Sequence, residues 1–271
     1  MAILTERNST RLRVLVLIHS MKRSLAAVAA ITLTSFSFVP ASRAADSRYF
    51  EMRTYYAAPG KLDDLNARFR NHTMKLFEKH GIENIGYWVP LDNTNNTLIY
   101  ILAYPSKEAR DASWKAFGAD PNWKQVVKES EANGRLVSKV DSVFMNATDF
   151  SPVAKPLADG EHTYELRTYT TVEGRLPNLL KRFRDHTVKL FEKHGMTNFG
   201  YWVPTAKPNT LIYILAHKSR EAAKNSFDAF RSDPAWDKAR KASEEEAGGS
   251  LTVTNGVKSE FIKPTDYSPS K

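Results

Sequence analysis

The chain has 271 residues, 42% of them aliphatic or aromatic and 25% charged, a balance that excludes a disordered protein and leaves room for about two globular domains. It contains no cysteine, which excludes disulfides, thiolate nucleophiles, zinc–thiolate sites and a lipid-modified cysteine. The net charge is +9, but in the first 44 residues six basic side chains face only Glu6, so the remainder carries +4 spread along mixed-sign segments. That is a solubility feature and not a phosphate-binding footprint, so no nucleic-acid partner is expected.

In chain order the first feature is a targeting segment. Met21-Lys22-Arg23 forms a basic tip, Leu25 to Val39 an apolar run, and Pro40 to Ala45 a stretch of mostly small residues. This is the pattern of a Sec-type signal peptide; Ser42 and Ala44 fit the small-x-small rule, and cleavage is expected after Ala44. The run is short for a span of about 20 residues and carries Thr32, Thr34, Ser35 and Ser37, so no stable membrane span is expected after cleavage. Met21 is the expected start, with the residues before it an extension. A periplasmic or secreted address follows as an expectation.

The remainder is a duplication. The strand Tyr49-Phe50-Glu51-Met52-Arg53-Thr54-Tyr55 returns as Thr163-Tyr164-Glu165-Leu166-Arg167-Thr168-Tyr169. Lys75 to Gly81 returns unchanged as Lys189 to Gly195, Gly86 to Pro90 as Gly200 to Pro204, and Asn96 to Ala103 as Asn209 to Ala216. The units also close alike, Thr148-Asp149-Phe150-Ser151-Pro152 against Thr265-Asp266-Tyr267-Ser268-Pro269. The expected layout is an N-terminal extension and signal peptide at 1–44, a first module at 45–152, a linker at 153–162 with Pro156 and Asp159-Gly160 as boundary residues, and a second module at 163–271.

Within one unit, alternation predicts a strand over Tyr49–Tyr55, with Phe50 and Met52 on one face and Glu51, Arg53 and Tyr55 on the other. A helix is predicted from about Lys61 to His80, because Leu62, Leu65, Phe69, His72 and Leu76 recur at helical steps and Gly81 is a suitable C′ residue. Strands follow at Ile85–Val89 and, apolar on both faces and so central, at Thr97–Tyr104. Ser106 caps a helix to about Phe117, Asp120-Pro121 opens a short helix carrying Trp123, and a last strand spans Leu136–Met145. The order β-α-β-β-α-β is the split βαβ, or ferredoxin-like, unit, whose sheet has helices on one face only; a second copy is the natural cover for the other.

The Glu-x-Arg-x-Tyr opening, the helix histidine followed by Glu-Lys-His-Gly, and Gly-Tyr-Trp resemble the NIPSNAP domain, twice over nearly the whole mature chain. The resemblance implies an α+β fold in which two tandem ferredoxin-like modules pack sheet to sheet as a dimeric α+β barrel around a cavity, here within one chain. The wider superfamily contains cofactor-independent monooxygenases, isomerases and haem enzymes beside members without established activity, so no reaction comes with the name.

The candidate ligand-binding residues are Arg53 and Arg167 with Glu51, Glu165, Tyr55 and Tyr169. They point into the barrel if helices cover the Phe50 and Met52 face, and otherwise form a self-satisfied Glu–Arg ladder. His72 and His186 are candidate general bases, against a core-histidine alternative. Tyr87, Trp88, Tyr201 and Trp202 either line a cavity or fill it. His80 and His194 read as helix-end residues. No metal site and no cofactor is expected, since no phosphate loop, nucleophile elbow or His-Glu-x-x-His run is present. The expected function is an exported barrel that binds a small molecule or a protein partner, with possible homo-oligomers. The alternative is a cofactor-independent monooxygenase or isomerase with a helix histidine as base and a strand arginine steadying an anion or enolate.

Overall fold

The computed structural model describes residues 46–157 and 160–271; the signal peptide and the choice of start lie outside the described residues. The first module contributes β1 (Tyr49–Ala57), β2 (Glu83–Pro90), β3 (Thr97–Tyr104) and β4 (Val137–Ala147). The second contributes β5 (Thr163–Thr171), β6 (Thr197–Pro204), β7 (Thr210–His217) and β8 (Thr252–Pro264). All eight close into one barrel in the order β1-β3-β2-β8-β5-β7-β6-β4. Within each module every strand pair is antiparallel. The two sheets join at short seams, β2 to β8 through Trp88–Pro90 and β4 to β6 through Met145–Ala147.

Each module's close-out sequence crosses to the other module. Thr148 N–H donates to the Tyr201 carbonyl at 2.9 Å, and Tyr201 N–H donates to Ser151 Oγ at 3.0 Å. In return, Thr265 N–H donates to the Tyr87 carbonyl at 3.0 Å and Tyr87 N–H to Ser268 Oγ at 2.9 Å. Forked ion pairs sit beside both clasps, Arg184 with Asp149 and Arg70 with Asp266, at 2.6–2.7 Å. The repeated Thr-Asp-aromatic-Ser-Pro is therefore a reciprocal clasp that satisfies backbone groups at the seams.

Side chains from both modules fill the barrel interior. Phe50, Met52, Trp88, Ile101, Tyr164 and Trp202 belong to one cluster, with Phe50 against Trp202 at 5.7 Å and Trp88 against Tyr164 at 5.6 Å between ring centroids. The Gly-Tyr-Trp motif has a steric basis here. The Trp88 indole folds back over Gly86, and the Trp202 indole over Gly200, so closely that a Cβ at either glycine would overlap the ring. A β-bulge between Asn84 and Gly86, repeated between Asn198 and Gly200, accompanies the motif.

Helices cover the outer face of each sheet. In the first module Leu62–Arg68, a π-helical turn at Phe69–Thr73, and Met74–Lys79 run together as α1; α2 is Lys107–Ala119 and α3 is Pro121–Ser130. The second module repeats them as α4 (Leu176–Arg182, π turn Phe183–Thr187, Val188–Lys193), α5 (Arg220–Arg231) and α6 (Pro234–Glu246). No helix among the described residues is long and apolar enough to cross a membrane.

Candidate functional site

The partition of β1 runs opposite to the expectation that would put the charged row in the barrel. Phe50 and Met52 point into the barrel, so Glu51, Arg53 and Tyr55 lie beneath the helices, as do Glu165, Arg167 and Tyr169. The apolar row is the one that can meet its copy across the barrel without buried charge, and the polar row finds donors on the neighbouring strand and, in the first module, on α2.

Glu51 is fully buried and accepts from Arg53, from Arg110 Nε at 3.0 Å and Nη2 at 3.2 Å, and from the Tyr104 hydroxyl at 3.2 Å. Arg53 Nε donates to the Tyr100 hydroxyl at 3.0 Å, and the guanidinium lies 4.5 Å from the Trp114 ring centroid. Burial alone pushes the Glu51 carboxyl up, but the Arg110 hydrogen bonds and the Arg53 charge overcome it and hold the group below its ordinary value. The second module builds the same ladder with different supports. Glu165 pairs with Arg167, accepts from Ser259, and meets His217 Nε2 at 3.2 Å; Arg167 lies over Phe227 at 4.6 Å. In both ladders the glutamate and the strand arginine answer each other's charge, so Arg53 and Arg167 offer little to a ligand; in the second, the buried His217 Nδ1 is left without a partner.

His72 and His186 are exposed, not on the buried face. The π turn is the cause: it adds a residue to the coil, so burial passes from Leu65 and Phe69 to Thr73 and Phe77 and rotates position 72 outward. Thr73 Oγ1 closes the turn onto the Arg68 carbonyl at 3.2 Å, and Thr187 does the same onto Arg182 at 3.2 Å. Tyr87 packs under the helices while Trp88 fills the barrel, and Tyr201 and Trp202 divide likewise, so neither pair lines one cavity together. His80 and His194 sit at helix ends, each 2.8 Å from the carboxylate that caps the third helix of its module, Asp120 or Asp233.

The residue that sequence reasoning missed is Arg68, with its copy Arg182. Arg68 is only 6% exposed; its Nη1 donates to Glu131 at 3.0 Å and to Ser130 Oγ at 3.4 Å, it lies 5.3 Å from the Trp123 ring centroid, and its Nε has no partner. On one side of it is a cavity of about 190 Å³ walled by Tyr55, Phe69, Phe77, Trp114, Phe117 and Trp123. On the other is a crevice of about 360 Å³ with His72 on its wall. The available signal was a basic residue inside an apolar helical face, immediately before the Phe-Arg-x-His-Thr repeat.

Fold and site together define a two-module α+β barrel protein with a helix-covered face on each module and an arginine buried under each set of helices. The family model described as NIPSNAP matches residues 50–152 and again 164–269. The chain belongs to the NIPSNAP family. It is 28% identical to Protein NipSnap homolog 3A of Homo sapiens over 161 residues, 59% of this chain and 63% of that one. With Protein NipSnap homolog 3B of Mus musculus it shares 26% over 138 residues, 51% of this chain and 53% of that one. The chain thus spans between half and two thirds of the length of these relatives. Among solved structures, a "putative monooxygenase" of Lactobacillus acidophilus matches at TM-score 0.54 and 13% identity, covering 81% of this chain and 94% of that one. A protein of Fusobacterium nucleatum described in the same words matches at TM-score 0.55 and 10% identity, covering 80% and 92%. At such identities the likeness establishes the fold alone.

Proposed function

We propose that the first module binds a small, largely apolar molecule carrying a neutral oxygen acceptor, held in the cavity between α1, α2, α3 and the sheet. The observation that carries this reading is an aromatic cavity of about 190 Å³ walled in part by Arg68, a buried arginine whose Nε–H has no partner. A buried donor left unmade costs free energy that a ligand acceptor would recover. Because Glu131 already answers the Arg68 charge, a neutral acceptor suits the site better than a second carboxylate. The aromatic wall supplies the rest through apolar burial.

2-Naphthol is a suitable probe, and Trp114 and Trp123 on the wall are its reporters. Binding is expected to quench tryptophan fluorescence with one site per chain, and Arg68→Met to weaken it by roughly tenfold, the worth of one hydrogen bond. Unchanged binding in Arg68→Met would place the probe elsewhere and sink the proposal.

The enzymatic reading keeps one support, the fold shared with proteins described as monooxygenases. In that reading Arg68 would steady an enolate or phenolate in the same cavity. Oxygen uptake or isomerisation with the bound probe, lost in Arg68→Met, would favour it. Export to the envelope belongs to the proposal as well and rests on the basic tip, apolar run and small-residue exit at Met21–Ala45. N-terminal sequencing of protein from the cell should begin at Ala45; a retained Met1 or Met21 would refute it.

A further inference from the structure

Arg68 and Arg182 are equivalent by repeat, yet their surroundings differ at several positions, one of which changes the partner of the arginine. In the first module Glu131 pairs with Arg68 at 3.0 Å. Its copy in the second module is Glu244, one residue after Ser243 as Glu131 is after Ser130. Glu244 does not reach Arg182. It is held at 2.8 Å by Arg240 Nη1, and Arg240 stands where the first module has Val127. Arg240 holds the carboxylate along its own helix, one turn apart.

Arg182 is consequently a buried guanidinium in no ion pair among the described residues, with Glu244 acting on it only through its charge at longer range. It is 7% exposed; its Nη1 donates to Ser243 Oγ at a long 3.3 Å, its Nε has no partner, and its guanidinium lies 5.0 Å from the Trp236 ring centroid. Burial pushes its pKa down from the ordinary arginine value. A charge removed from water without a counter-ion is among the least favourable arrangements in a folded chain.

The same arginine borders a crevice of about 170 Å³ between α4 and α6, with His186 and Lys181 on its walls. That is space for a small oxyanion and a few waters, each water occupying about 30 Å³. The two carboxylates on the walls are Glu246, already bound by Lys181 Nζ at 2.8 and 2.9 Å, and the exposed Asp185. We propose that the second module binds one small oxyanion, phosphate-like or carboxylate-like, at Arg182, and that the first module does not, because Glu131 already pairs with Arg68. The site is independent of the aromatic cavity proposed above.

Equilibrium dialysis of the purified chain against labelled inorganic phosphate, and separately against labelled acetate, tests this. One anion per chain is expected, and which of the two binds identifies the class. Arg240→Val should release Glu244 to Arg182 and weaken binding at least tenfold. Arg240→Val with Glu244→Gln should restore it, although the Arg240 charge is still missing. Val127→Arg should capture Glu131 and raise the stoichiometry to two. Absence of binding by the unmodified chain overturns the proposal. So does a double variant as weak as Arg240→Val, because its net charge equals that of the unmodified chain and the loss would then reflect the missing Arg240 guanidinium and not a captured carboxylate. Binding of 2-naphthol should be unaffected by Arg240→Val, which separates failure here from failure of the cavity reading.

Discussion

Tyr104 and His217 end equivalent strands, and each reaches the buried glutamate of its own module: the Tyr104 hydroxyl donates to Glu51 Oε2 at 3.2 Å, and His217 Nε2 lies 3.2 Å from Glu165 Oε2. The exchange goes with a second one. Arg110, which binds Glu51 with two nitrogens, has Ala223 as its copy. One ladder therefore sets a carboxylate among two guanidiniums, and the other sets it among one guanidinium, an imidazole and the Ser259 hydroxyl.

Glu51→Gln should accordingly be the more damaging of the two glutamate substitutions. It leaves Arg53 and Arg110 facing a neutral amide in a buried site, and breaking such a pair costs about 3–5 kcal/mol. Glu165→Gln strands only Arg167 and should cost less. Urea denaturation of both variants checks the order; equal midpoints would contradict it.

Acid should destabilise the fold through the same two carboxyls. Both are held below their ordinary value: Glu51 against burial by Arg110 and Arg53, Glu165 against burial by His217, Arg167 and Ser259. A folded-state pKa below the unfolded one contributes stability that is complete above the unfolded value, about 4.3, and is lost as pH falls toward the folded value. The urea midpoint should stay level between about pH 5 and 7 and fall below about pH 4. The acid limb should be shallower in Glu51→Gln and Glu165→Gln.

Gly86→Ala and Gly200→Ala should each destabilise strongly, because the new Cβ overlaps the indole two residues on. Overpacking of this kind costs about 1–3 kcal/mol, and displacing a fully buried tryptophan puts these two at the upper end. A changed near-ultraviolet dichroism together with a lowered midpoint is the expected signature.

His72→Ala with His186→Ala should leave stability within about 0.5 kcal/mol, as exposed substitutions do. Unfolding of the double variant would restore the buried-face assignment that the π turn argues against.

A protease cut in the linker at 153–162 should leave the two modules together. The β2–β8 and β4–β6 seams and both clasps cross between modules, and none of them depends on the linker's continuity. Native mass spectrometry of the nicked protein should give one complex; separated halves would show that the linker does the holding.

Much of the fold was legible because it rests on short-range rules. The strand at Thr97–Tyr104 is apolar on both faces and is buried throughout between β1 and β2. Ser106 and Asp120 cap their helices through side-chain oxygens, as their types and positions suggest. The duplication, visible as identical runs in register, required that each sheet's open face find a copy. The site was less legible. Arg68 stood in an apolar face with nothing nearby in sequence to mark its partners, which lie more than sixty residues away at Ser130 and Glu131.

The amino-acid pattern by itself determined the two modules, their element order and the sorting of β1 into an apolar and a charged row, since alternation and repetition are properties of adjacent residues. Only the tertiary structure decided which row faces the barrel, because that depends on what each face meets: a second apolar row across the lumen, or Tyr100, Tyr104 and Arg110 under the helices. It also decided that His72 turns outward and Arg68 inward. One extra residue in a π turn shifts the helical phase, and neither a hydrophobic period nor a residue's own chemistry registers that shift until the backbone hydrogen bonds are in place.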